Sequence, residues 1–162
     1  MRSSVMKRAM FGFAGLLPLA AGLYGQQQPL PYSHKTHLAM GLKCNSCHRN
    51  ADPGELMGFP SESFCMGCHQ TVKADSPHIK KLALAASEKN PISWLRVYRI
   101  PTYVYFSHRV HNDAGATCET CHGPVRERDV ITKEVTHNMR SCMACHTATK
   151  ARIDCTTCHE ER

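Results

Sequence analysis

Ten cysteines and eleven histidines in 162 residues set the chemistry that has to be explained first. Every cysteine falls in one short pattern and none is left over: Cys44-Asn-Ser-Cys47-His48, Cys65-Met-Gly-Cys68-His69, Cys118-Glu-Thr-Cys121-His122, Cys142-Met-Ala-Cys145-His146 and Cys155-Thr-Thr-Cys158-His159. Two thiols at this spacing, followed at once by an imidazole, form the attachment signature of c-type haem. Both thiols can add to the vinyl groups on one porphyrin edge. The histidine, four residues after the first cysteine, projects from the same face of one helical turn toward the iron. Zinc would require paired Cys-x-x-Cys units and no histidine directly after each. Five disulfides closed over two residues each would be strained. The sequence therefore predicts five covalently bound haem c groups, at sites numbered first to fifth in chain order.

Each motif histidine (His48, His69, His122, His146 and His159) supplies one side of an iron, which leaves His34, His37, His78, His108, His111 and His137. Five irons need five more ligands to be six-coordinate, so supply matches demand with one histidine to spare. Bis-histidine ligation leaves no open position for substrate and favours electron transfer over chemistry at the metal. Met57 and Met139 are thioether rivals, although a methionine beside an apolar haem face is more often packing.

The chain also repeats itself. YSHKTHLAMGLKCNSCH, from Tyr32 to His48, aligns without gaps on FSHRVHNDAGATCETCH, from Phe106 to His122. SFCMGCH, ending at His69, repeats as RSCMACH, ending at His146. The expected organisation is a two-haem module over 26–75, a linker over 76–105 and a three-haem module over 106–162.

The elements that must position these groups are short. Few apolar residues surround the cysteines, so an ordinary side-chain core is hard to build. The expected fold class is a small multihaem cytochrome c: short α-helices and loops wrapped around a haem core, with little β-structure. In the linker, Ser76 and Pro77 open a helix with Ile79, Leu82, Ala83 and Ala86 on one apolar face, stopped at Asn90-Pro91. The following SWLRVYRIPTYVYF reads as a short extended stretch, its aromatics Trp94, Tyr98 and Tyr103 covering haem faces rather than forming a docking surface.

Residues 1–25 have a basic start (Arg2, Lys7, Arg8), an apolar run from Ala9 to Leu23 and small residues at Ala20, Ala21 and Gly22, the layout of a secretory signal peptide. An uncleaved anchor is the other reading. The formal charge of +7 falls to +4 without the leader, with 17 basic and 13 acidic residues remaining, and haem propionates lower it further. That removes most of the case for nucleic-acid binding. Haem attachment follows export, which agrees with the leader and gives a periplasmic or otherwise extracytoplasmic location. The membrane would be met only through a partner or an uncleaved leader.

The segment from Phe106 to His159 resembles the small triheme periplasmic cytochromes c, relatives of the tetrahaem class III cytochromes. The resemblance implies that the first histidine of His-x-x-His caps the haem that follows, the second caps the next, and a histidine upstream of the second motif caps the last. It pairs His108 with His122, His111 with His146 and His137 with His159. In the first copy it pairs His34 with His48 and His37 with His69, leaving His78 spare. The chain as a whole is similar to pentahaem cytochromes found with quinol-oxidising membrane complexes of the alternative complex III type and with related molybdopterin oxidoreductases. This second resemblance runs through Met57-Gly-Phe-Pro60, Cys65 to Gln70, Asp75-Ser-Pro77, Trp94-Leu-Arg-Val-Tyr-Arg-Ile-Pro101 and Cys118 to Val125. It implies redox protein partners, with a membrane-bound quinol oxidoreductase complex among them.

Five haems in about 137 residues is one per about 27, so neighbouring macrocycles can hardly avoid near contact. The sequence thus points to an electron carrier or wire and not to an enzyme, working alone or as a relay subunit. The rival is a multihaem reductase of a small oxyanion such as nitrite, which needs one open iron.

Overall fold

The computed structural model describes residues 27–49 and 57–159; the leader lies outside these. The chain runs through eight short α-helices within that range. They are α1 (His34–Ala39), α2 (Cys44–Cys47), α3 (Glu62–His69), α4 (Pro77–Glu88), α5 (His108–Asp113), α6 (Cys118–His122), α7 (Met139–Ala148) and α8 (Cys155–Cys158). A 3-10 turn at Val125–Glu127 follows α6. Among the described residues there is no strand, and no helix is long and apolar enough to cross a membrane.

Local chemistry explains the helix starts. Ser33 caps α1 by accepting from the Thr36 amide (3.0 Å), and Ser107 caps α5 by accepting from Val110 (3.4 Å). Asn138 and Ser141 form a reciprocal capping box on α7. Helices α1 and α5 stop at Gly41 and Gly115, whose φ angles of 88° and 87° lie where a side chain is strained. The sequence repeat is thus a repeat of caps and stops as well as of ligands.

The linker helix α4 forms as expected, with Pro77 at its first position and Leu82 and Ala85 buried on one face. Ser76 holds the N-cap position without a side-chain cap bond. Lys89 turns left-handed (φ 52°), and the Asn90 amide donates to Ala85 O, so the helix closes in a Schellman motif before Pro91. Helix α4 packs on α3. The stretch after it is irregular instead of strand-like, because its backbone pairs with side chains: Gln28 bridges both the amide and the carbonyl of Leu95 (3.0 and 2.9 Å).

A polypeptide core is nearly absent among the described residues. Leu30, Leu82 and Ala85 are its buried apolar members, and no side chain there is fully enclosed. Phe59, Val110, Met139 and Ile153 are all at least 50% exposed to solvent by protein alone. Such apolar surface on so small a chain is what a large apolar cofactor would cover.

Candidate haem sites

One helical turn carries out the geometry the motif demands. The His48 amide donates to Cys44 O (2.9 Å) and that of His159 to Cys155 O (3.0 Å), which sets each histidine above its first cysteine. None of the ten cysteines is paired in a disulfide. Burial above all pushes the Cys47, Cys65, Cys118 and Cys121 thiols up from their ordinary pKa.

The structure brings four motif histidines to four upstream ones. Ring centroids lie 6.5 Å apart for His34 and His48, 6.2 Å for His37 and His69, 6.3 Å for His108 and His122, and 5.9 Å for His111 and His146. An imidazole–metal bond is about 2 Å long, so two rings facing each other across one ion have centres about 6 Å apart. All four pairs therefore fit a bis-histidine iron. In the two repeated pairs, His34–His48 and His108–His122, the ring planes lie within 6° of parallel. Among the described residues no three or more His, Cys, Asp or Glu side chains converge as a bare-ion site would require.

Hydrogen bonds fix which ring nitrogen is offered. Nδ1 of His37 donates to Ser33 O (2.7 Å), and Nδ1 of His111 to Ser107 O (2.8 Å). Nδ1 of His48 donates to Gly58 O (2.7 Å), that of His69 to Val72 O (2.9 Å) and that of His146 to Arg152 O (2.6 Å). His159 donates to Tyr103 O at 3.2 Å. Engaging Nδ1 with a carbonyl fixes the tautomer and presents Nε2, the arrangement metal-ligating histidines use. His34 has its Nδ1 buried without a protein partner. Burial first, then His48 and His37, lowers its pKa to about 4. Burial, with His137, His108 and His48 behind it, does the same for His122. Both imidazoles are held neutral, the form that binds a metal.

Aromatic shelves orient the paired ligands, a feature for which the sequence signal was the aligned Tyr32 and Phe106. Tyr32 stacks on His37 (4.4 Å) and meets His34 edge-on (4.8 Å). Phe106 repeats this with His111 (4.6 Å) and His108 (4.8 Å). Burial, then the neighbouring Cys47 and Cys65, pushes the Tyr32 hydroxyl up to about 12.

The linker aromatics lie on the site residues. Trp94 stands beside Tyr32 (6.2 Å) and Phe59 (6.5 Å), and Phe59 in turn faces His48. Tyr98 meets His122 edge-on at 4.8 Å, and Tyr103 stacks on His159 at 6.1 Å. Tyr98 also ties the loop after the third site: its hydroxyl accepts from the Glu134 and Val135 amides and shares its one proton between the carbonyls of His122 and Thr132. Sequence reasoning placed Tyr98 near a haem but missed this hub, which carries no motif.

His137, which the resemblance pairs with His159, makes contacts at the third site. Its Nε2 donates to Cys121 O (2.7 Å), and its ring lies against Tyr98 (4.8 Å) and His122 (6.1 Å), while the ring near His159 is that of Tyr103. His78 is exposed on α4, whereas the other ten histidines are half-buried. Met139 is 65% exposed at the start of α7, and Met57 lines a small hollow with Cys47, Arg49 and Phe64. In the hollow the Arg49 guanidinium covers the Phe64 ring at 4.5 Å.

No curated protein matches the chain. Residues 104–160, about a third of the chain and the whole span of the third to fifth motifs, match the family described as cytochrome c7 and related cytochrome c. That match, falling on motifs with this geometry, supports a multihaem c-type cytochrome of electron transfer.

Proposed function

We propose that the chain is a five-haem relay outside the cytoplasm, passing electrons between redox proteins, with a membrane-bound quinol-oxidising complex as its donor. The observation that supports it best is the set of four histidine pairs separated by 5.9–6.5 Å, which leaves those irons no free position. Haem c supplies reversible one-electron chemistry at its iron. The chain's residues do the rest. The cysteine pairs fix the cofactor edges, and carbonyl-anchored histidines hold ligand geometry constant between oxidation states. No acid, base or nucleophile is needed. The leader supports export, and the similarity through Trp94 to Pro101 and the second and third motifs supports the quinol-side partner.

The fifth site is where a second reading has its foothold. Pairing His137 with His159 would require His137 to give up its Cys121 bond or to ligate through Nδ1. A reductase with one open iron would use this site. Intact mass of the mature protein and a ferric absorption spectrum decide. Five haems, all low-spin, are expected. Fewer haems would remove the relay, and a ligand-binding high-spin share of about one haem in five would favour the reductase.

A further inference from the structure

The chain order of the five sites is not their spatial order. Helix α1, which brings His34 to the first site, packs on the 3-10 turn that directly follows His122 of the third. The Lys35 amide donates to Arg128 O (2.9 Å), and Ser33 Oγ donates to Asp129 (2.6 Å). The Cys44 thiol is among the groups that raise the pKa of Cys118, so the first and third motifs approach each other beside this packing. The second site makes other contacts: α3 packs on α4, and Glu62 at its start accepts from the Ile92 amide of the linker (2.8 Å). Cys65 neighbours Cys47, and Cys121 neighbours Cys142 and Cys145.

Resting on the five-haem reading, we infer that the two modules are joined through their first and third sites, so that the groups carried on Cys44 and Cys118 are the neighbours across the module boundary. The spatial sequence is then second, first, third, fourth. Haems held by thioether bonds at Cys44 and Cys118 would each bring an edge to this seam. The shortest path for an electron between modules crosses this seam. One site loses one electron as the other gains it, and no bond or proton changes. The second site becomes a terminus, capped by α4.

The test is nuclear Overhauser spectroscopy of the fully reduced holoprotein, in which low-spin ferrous haems are diamagnetic, with peptide mass assigning each haem to its cysteines. Cross-peaks between haem substituents of the first and third sites, with none between the second and third, are expected. Cross-peaks between the second and third with none between the first and third overturn the inference and leave the five-haem reading standing. A missing haem at Cys44 or Cys118 in the peptide masses overturns both.

Discussion

The rings of His108 and His122 lie 6.3 Å apart and within 6° of parallel, and those of His34 and His48 reproduce the relationship at 6.5 Å and 6°. Two segments far apart in the chain thus build the same clamp. Each uses a serine-capped helix, an aromatic shelf and a glycine stop to set a histidine opposite the one in its motif.

Removing one jaw should open one iron. In His108→Ala the third site loses the ligand opposite His122, and the ferric spectrum should gain a high-spin component of about one haem in five, the rest staying low-spin. A wholly low-spin spectrum would show that His108 is not a ligand.

His78 should be dispensable. It is exposed on α4, outside every ring pair above. His78→Ala should leave the haem spectrum unchanged and stability within about 0.5 kcal/mol, as for an ordinary surface substitution. Thermal unfolding followed in the haem band measures both.

Gly115→Ala should cost about 1 kcal/mol, and Gly41→Ala a similar amount, because a side chain disfavours the left-handed backbone there. A Cβ at either position meets nothing within 4 Å, so the cost is conformational and not steric. Denaturant midpoints of the two holoprotein variants should therefore fall together.

Tyr98→Phe keeps the ring on His122 while deleting the hydroxyl that gathers the Glu134 and Val135 amides. A loss of about 1 kcal/mol is expected, with low-spin ligation at the third site preserved. Circular dichroism melts against the ferric spectrum separate the two effects.

Acid should loosen the loop after the third site. Glu134 takes a two-pronged bond from Arg128 (2.6 and 2.8 Å), which holds its carboxyl below the usual 4.5. With the folded value depressed, the stabilisation is complete above pH 4.5 and is lost as pH falls through the lower folded value. The pair faces solvent, so its share is small. Glu134→Gln should be less stable than the parent at neutral pH, and the two unfolding curves should converge as pH falls through the lowered folded value of Glu134. Parallel curves throughout would assign the effect to another group.

The candidate haem sites were legible because the attachment signature is local: Cys44 and Cys47 stand with two residues between them and His48 follows at once. The repeat of Tyr32–His48 in Phe106–His122 carried the upstream histidines in the same way, since equal spacing on like helices reaches like positions. Helix α4 was legible from Pro77 and the period of Leu82 and its neighbours. What stayed hidden depends on long-range contact. Tyr98 gathers four backbone groups that no local pattern marks, and the seam between Ser33 and Asp129 joins loops with no periodicity. The stretch Ser93–Phe106, read as extended, joins no ladder, and Gln28, remote in sequence, takes up the Leu95 backbone that a strand partner would have taken. His137 was read by analogy of position, and its Cys121 bond answers to the local fold of the third site instead.

Near-infrared magnetic circular dichroism of the ferric holoprotein tests the central claim most directly, because its charge-transfer bands report the axial ligand pair of low-spin iron. The relay predicts bis-histidine bands accounting for at least the first four sites. A spectrum dominated by high-spin or histidine–methionine iron would contradict it.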